Sequence, residues 1–237
     1  MIRTAVAPAL ALAWRRGLDL LFPPRCAGCR SFGAFLCAGC LAGMPRALPP
    51  RCPRCWMPGA GSVCGRCRAE PFAFDSIRAP FVYGGAARDA VHALKYDGVS
   101  ALAQAMAPPM AAALDGWAPP TASLVPVPLA GRRRRGRGYN QSELLAREGS
   151  KLTGLPLRRG LLVRRRSAPP QARSAGEADR RANVAGAFSG RDDGGPPGPV
   201  VLVDDVVASG ATLDAGARAL RAAGHGPVLA LTFARED

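Results

Sequence analysis

No uninterrupted apolar stretch in the sequence reaches the ~18 residues that a membrane-spanning helix needs. Histidine occurs twice. His92 sits between Val91 and Leu94 in a helical pattern and His225 follows a helix stop, so neither reads as a catalytic base. Lysine is also scarce: of 32 basic residues only Lys95 and Lys151 are lysines, the rest arginines. No Gly-x-x-x-x-Gly-Lys loop exists, which argues against a P-loop nucleotidase. Acidic residues number 17, leaving a net charge of +15. Cysteine is absent outside residues 26–67. What is present is ordinary globular material, with 48% hydrophobic residues in 237, which excludes wholesale disorder and fits one domain plus a small one, or one large domain.

The positive charge is not spread evenly. Residues 1–70 carry +8, 71–130 carry −1, 131–181 carry +11 and 182–237 carry −3. The preference for Arg over Lys, beside abundant Ala, Gly and Pro, has the look of a GC-rich genome. That bias does not explain an excess of positive over negative charge, which points to an anionic partner: nucleic acid, a phosphorylated metabolite or an acidic membrane.

Near the start, Arg3, the apolar run Ala5–Trp14 and the triplet Ala11-Leu12-Ala13 imitate a weak secretory signal. Pro8 and Arg15-Arg16 interrupt the run, and Leu18, Leu20, Leu21 and Phe22 resume it up to the first cysteine. Residues 1–22 are therefore expected to form an amphipathic helix, and the cysteine usage below favours a reducing, cytoplasmic location.

The eight cysteines form four Cys-x-x-Cys pairs: Cys26/Cys29, Cys37/Cys40, Cys52/Cys55 and Cys64/Cys67, with gaps of 7, 11 and 8 residues. Each pair places two thiolates on one tight turn, and two turns complete a tetrahedral Cys₄ site. Gly28 and Gly39 suit such turns by accepting positive φ. Disulfides within Cys-x-x-Cys rings are strained, and one redox pair does not explain four. Two structural Zn²⁺ ions are expected in a module spanning 23–70, with sequential pairing suggested by the gaps and interleaved pairing left open. Metal binding supplies folding energy for a block too short to bury a core. Seven arginines surround the ligands (25, 30, 46, 51, 54, 66 and 68). They either balance the −2 charge of each Zn(Cys)₄ centre or face nucleic acid.

Beyond residue 76, strand and helix signals alternate. Strands are expected at Arg78–Tyr83, Leu124–Leu129, Leu161–Val163, Val200–Val203 and Val228–Phe233. Helices are expected at Ala86–Tyr96, at Ala101–Leu114 with a disturbance at Pro108-Pro109, at Gln141–Leu152 behind an Asn140/Glu143 capping box, and at Leu213–Ala223 before Gly224. This alternation predicts an α/β fold with a parallel sheet over 76–237, whose ligands bind beyond the carboxyl ends of the strands.

The sharpest chemistry lies in Val200–Thr212. Four apolar β-formers deliver Asp204 and Asp205, then Ala208-Ser209-Gly210-Ala211-Thr212 leads into a helix. Backbone N–H groups at a helix N-terminus cradle an anion, Ser209 and Thr212 add hydroxyl donors, and paired carboxylates hold a vicinal diol or an Mg²⁺ shell. Together these describe a ribose 5-phosphate group. The segment resembles the phosphoribosyl-pyrophosphate (PRPP) signature of type I phosphoribosyltransferases. The resemblance assigns Asp204 and Asp205 to the ribose hydroxyls as the catalytic pair, and Ala208–Thr212 to the 5-phosphate.

Four cysteine pairs ahead of such a domain resemble the ComF family of competence-related proteins, with a double zinc ribbon. Further matching segments are Leu94-Lys95-Tyr96 with Gly98, Val125-Pro126-Val127-Pro128, Arg137-Gly138-Tyr139-Asn140-Gln141 with Leu144-Leu145-Ala146, Arg164–Arg166, Gln171, Arg181, Asn183, Val184 and Phe188. The resemblance implies a pyrophosphate loop at Pro126, Val127 and Pro128 with Arg137, and a mobile loop over 167–182, with Arg166 just before it and Gln171 within it. It also implies Mg²⁺ bound with PRPP, a link to DNA uptake in natural transformation, and contacts with other competence proteins. Two departures stand out: Ala208-Ser209 replaces a common Thr-Thr, and no threonine stands two residues after Arg166.

Two functional readings follow. The first is a Mg²⁺-dependent phosphoribosyltransferase, or PRPP sensor, with an acceptor not legible in residues 72–100. The second is a non-catalytic accessory factor binding single-stranded DNA through the zinc and arginine blocks. In residues 131–181, with Arg132–Arg135 and Arg164–Arg166, Tyr139 is the only aromatic, so base-specific reading is not expected.

Overall fold

A computed structural model describes residues 23–59, 61–165 and 186–237. The expected helix over 1–22, and Arg166, Gln171, Arg181, Asn183 and Val184 with the whole of the expected mobile loop, lie outside the described residues.

Two short helices belong to the cysteine block: α1 (Ala38–Ala42) and α2 (Gly65–Ala69). The sheet that follows is built from β1 (Ser76–Arg78), β2 (Phe81–Val82), β3 (Ser123–Pro126), β6 (Val200–Val207) and β7 (Val228–Arg235). All pairings in it are parallel and the order is β1-β7-β6-β3, with β2 also on β7. The helices are α3 (Gly85–Tyr96), α4 (Leu102–Ala112), α5 (Gly131–Arg137), α6 (Gln141–Thr153) and α7 (Ala211–Ala222). A separate antiparallel pair joins β4 (Leu162–Arg164) to β5 (Phe188–Gly190). The fold is the expected α/β class with a parallel sheet.

Several elements differ from their sequence pattern for identifiable reasons. The strand expected over Arg78–Tyr83 is two strands, β1 and β2, because Pro80 has no N–H to continue the ladder. The strand expected to reach Leu129 stops at Pro126, where Pro126 and Pro128 leave one amide, Val127 N, donating to Val203 O at 3.0 Å. Helix α4 runs unbroken through Pro108-Pro109. Its Leu102, Ala103, Met106, Ala107 and Met110 are buried, and Gln104, whose carbonyl Pro108 deprives of a helical donor, is exposed to water. Helix α5 has no apolar period to announce it, only Gly131 and a left-handed Gly138 at its ends. Strand β6 continues four residues past the expected Val203, through both aspartates.

The sheet is covered on both faces, and each half of the cysteine block joins a different core. Cys26, Ala27, Leu36 and Met44 pack with α3, α4 and α6 against Val201, Val203, Leu231 and Phe233. Cys52, Cys55 and Cys67 pack with Phe72, Phe74 and α7 against Val200, Leu202 and Ala230. Alternate residues of β6 thus serve opposite layers, as the pleat requires. The block is thus packed into the cores on both faces of the sheet.

Candidate functional site

The cysteines fall into two groups, Cys26/Cys29/Cys37/Cys40 and Cys52/Cys55/Cys64/Cys67, in each of which the four sulfurs lie within 4.8 Å of one another. The pairing is therefore sequential. Cys29 and Cys37 Sγ are 3.7 Å apart, as are Cys55 and Cys64 Sγ. That is the edge of a tetrahedron with Zn–S bonds of about 2.3 Å. The two halves repeat one design. Cys26 N–H donates to Ser31 O and Cys52 N–H to Met57 O, each at 2.8 Å. Cys37 N–H points at Cys26 Sγ at 3.3 Å, and Cys64 N–H at Cys52 Sγ at 3.4 Å. The positive φ expected at the glycines sits instead just after the first pair of each half, at Arg30 (64°) and Trp56 (61°). Gly28 is required for space: a Cβ there would stand 2.9 Å from Cys40 Sγ.

The electrostatics also fit a divalent cation. Burial raises the Cys26 thiol, but the N–H groups of Cys37, Cys29 and Gly28 outweigh it and hold it down at about 6. Cys37 and Cys29 push Cys40 up to about 12. Cys26 ionises readily while Cys40 holds its proton, a conflict that a bound Zn²⁺ resolves. Both groups fit structural zinc, with four protein ligands and no open position. The surrounding arginines divide. Arg51 is buried and grips Asp237 through two bonds of 2.7 and 2.6 Å. Arg66 Nη2 donates to Ser209 O at 2.9 Å. Arg25, Arg30, Arg46 and Arg68 are exposed.

The second site opens where β3 ends. Up to Val203, β6 is paired on both sides; from Asp204 onward only β7 remains beside it. The freed side faces a cavity of about 700 Å³ whose wall includes Lys95, Val127, Pro128, Arg137, Asp204 and Asp205. Thr212, from the first turn of α7, and Arg164 also reach it. Ala208, Ser209, Gly210 and Ala211 form the turn behind this wall, with Gly210 left-handed (φ 81°) as the N-cap of α7. A Cβ on Gly210 would stand 3.2 Å from the Phe72 ring. Pro126 is buried in β3.

Asp204 Oδ1 accepts from Ser142 Oγ at 2.7 Å and from the Asp205 N–H at 2.9 Å. Asp205 Oδ1 is 2.8 Å from Lys95 Nζ, and its Oδ2 is buried without a hydrogen-bond partner. Burial, followed by the charge of Asp205, raises the Asp204 carboxyl well above the usual carboxylate range. Burial lowers the Lys95 ammonium, but Asp205 outweighs it and the net shift is upward. Asn140 caps α6 by accepting from Ser142 N–H at 3.2 Å and donates from Nδ2 to Val127 O at 3.0 Å, which locks the helix to the strand end. The expected capping box is only half formed, because Glu143 pairs with Arg159 at 3.1 Å. Arg137 donates to Gln141 Oε1 and lies over the Tyr96 ring at 5.3 Å.

The structure thus gathers Val127, Pro128, Arg137, both aspartates and Thr212, all singled out in the sequence, around one cavity. Lys95, Ser142 and Arg66 carry parts the sequence pattern did not assign. For Lys95 two signals exist: it is one of only two lysines in the chain, and it stands in the Leu94-Lys95-Tyr96 segment that carries part of the family resemblance.

Two comparisons bear on this arrangement. Residues 17–68 match the double zinc ribbon domain family. The chain is 36% identical over 104 residues to Competence protein F of Haemophilus influenzae, a match covering 43% of this chain. It spans 45% of that relative, less than half its length. The ribbon with its two Cys₄ groups, the parallel sheet behind it and the likeness to Competence protein F together support a ComF-family protein.

Proposed function

We propose that the cavity beside β6 binds the 5-phosphoribosyl group of PRPP and that the protein transfers it to a nitrogen acceptor. The observation that carries this reading is the junction of β6 and α7. Two adjacent carboxylates on a strand freed on one side line the cavity, and the left-handed turn that follows them brings Thr212, in the first turn of α7, to the same cavity. The turn Ala208–Thr212 offers N–H groups and hydroxyls to a phosphate. The acidic pair accepts from the ribose hydroxyls, Asp205 through its unpartnered oxygen. Val127, Pro128 and Arg137 form the part of the wall suited to pyrophosphate, with Arg137 already held in place by Gln141. Arg166 and Gln171 complete the proposal from outside the described residues.

Phosphoribosyl transfer passes through an oxocarbenium-like state, so the chain's own residues act by position and charge rather than as nucleophiles. The carboxylates hold the ribose and lie near the positive charge it develops. Arginine steadies the departing pyrophosphate. Mg²⁺ demands several free oxygen ligands in near-octahedral geometry. Asp205 gives one oxygen to Lys95, and Asp204 gives one to Ser142 and to the next amide, so these residues do not fit a protein-held metal centre. An ion that enters on the pyrophosphate of the ligand is compatible with the site, because the ligand meets its charge.

Pyrophosphate release from PRPP in the presence of a panel of bases and amines tests the transfer. Release above that of Asp204→Asn supports it, and release equal to that variant's contradicts it. A second reading, binding of single-stranded DNA in a competence role, is favoured by Arg25, Arg30, Arg46 and Arg68, which stand exposed on the ribbon. Affinity that falls steeply with salt supports it. Absent or salt-independent binding contradicts it.

A further inference from the structure

The acidic pair already has a cation. Lys95 ends α3 with its ammonium 2.8 Å from Asp205 Oδ1, in a pair whose side chains are 23% and 3% exposed. The position is prepared from two sides: Tyr139 Oη donates to Leu94 O at 2.6 Å, and Asp97 N–H caps Ala93 O at 3.2 Å. Resting on the ribose-phosphate reading above, we propose that Lys95 takes the place of a divalent cation at the acidic pair, so that ribose 5-phosphate binds without Mg²⁺.

Three observations carry this. Among the described residues the charges lining the cavity are Asp204, Asp205, Lys95, Arg137 and Arg164, so two carboxylates face three cations there. A divalent ion on Asp205 would stand against the half-buried Lys95 ammonium at close range or would have to displace it from its carboxylate partner, and either is unfavourable. The residue is a lysine where the chain elsewhere uses arginine almost throughout. A compact ammonium fills an ion-sized place beside a carboxylate, which a planar guanidinium does not. Asp205 Oδ2, buried and unpartnered, is the acceptor this arrangement leaves for a hydroxyl of the ligand.

The test measures ribose 5-phosphate binding by calorimetry on zinc-loaded protein, in buffer freed of Mg²⁺ by resin because a soluble chelator would also strip the ribbon. The expected result for the wild type is an affinity unchanged by millimolar Mg²⁺ to within about threefold. Lys95→Met is expected to bind about tenfold more weakly or worse, and to regain affinity when Mg²⁺ is added. If it does not fold, the wild-type comparison decides alone. Binding of ribose 5-phosphate by the wild type only with Mg²⁺ overturns the inference, and so does a folded Lys95→Met with wild-type affinity. PRPP with Mg²⁺ is titrated alongside. If it binds while metal-free ribose 5-phosphate does not, the inference fails and the proposed function stands; if neither ligand binds, both fail.

Discussion

Arg66 of the second ribbon donates to the carbonyl oxygen of Ser209, 143 residues away, at 2.9 Å. The same guanidinium lies 5.0 Å above the Phe72 ring, and that ring fills the space beside Gly210. A zinc-binding module thus braces the turn proposed to hold phosphate. Its zinc is structural, but what it structures includes the site.

Arg66→Met is therefore expected to weaken phosphate-ligand binding and to destabilise the fold by about 1 kcal/mol. That is below the roughly 1.5–3 kcal/mol of a charged hydrogen bond, because the side chain is partly exposed. Urea denaturation and ligand titration read the two effects. Unchanged affinity would show that the turn holds its shape without the ribbon.

Zinc removal should be asymmetric in its consequences. Two zinc ions per chain are expected by elemental analysis. Cys67 is 2% exposed and shares a core with Phe72, Phe74 and α7, whereas Cys29 is exposed at the rim of its ribbon. Cys29→Ser is expected to lose one zinc and keep most ligand binding. Cys67→Ser is expected to lose binding and much of the cooperative unfolding transition. Equal damage from both variants would contradict the separate roles of the two ribbons.

Gly210→Ala places a side chain at φ 81°. A left-handed non-glycine residue costs roughly 1–2 kcal/mol. The new Cβ also meets Phe72 at 3.2 Å, so the turn is expected to shift as well as lose stability. Thermal unfolding and a phosphate-ligand titration check this, and full retention of both would mean that the turn is looser than its contacts imply.

Asp204 gives a pH dependence whose sign can be worked out. Its carboxyl is raised in the folded protein by burial and by Asp205. The native state then holds that proton more tightly than the unfolded chain. Its contribution to stability is fully present below the unfolded carboxylate value and is lost as pH rises through the folded one. Asp204→Asn keeps an oxygen for Ser142 and removes the repulsion. The variant should gain stability relative to the wild type progressively between about pH 4 and pH 7 and level off above that, while binding ribose 5-phosphate more weakly. A stability difference independent of pH would contradict the shifted carboxyl.

Much of this was legible in the sequence for reasons that can be named. Eight cysteines at fixed spacing, four β-formers ahead of two aspartates and the helix with its Gly224 stop are all local patterns, and the structure carries each. What was not legible depended on distant neighbours or on polar composition. Asp204 and Asp205 belong to β6 because β7 pairs through Arg235, a fact no charged dipeptide announces. Helix α5 is nearly all arginine and glycine, without an apolar stripe. The pairing of Lys95 with Asp205 joins residues from opposite ends of the domain, where neither period nor spacing links them.

The most direct test of the account is thermal unfolding of the zinc-loaded protein with and without PRPP and Mg²⁺, beside Asp204→Asn. Ligand at about 100 times its dissociation constant adds about 2.7 kcal/mol to the folded state. The account predicts a clear upward shift in the wild type and the loss of most of it in Asp204→Asn. No shift in the wild type, or an equal shift in both proteins, would contradict a ribose-phosphate site at the carboxyl end of β6.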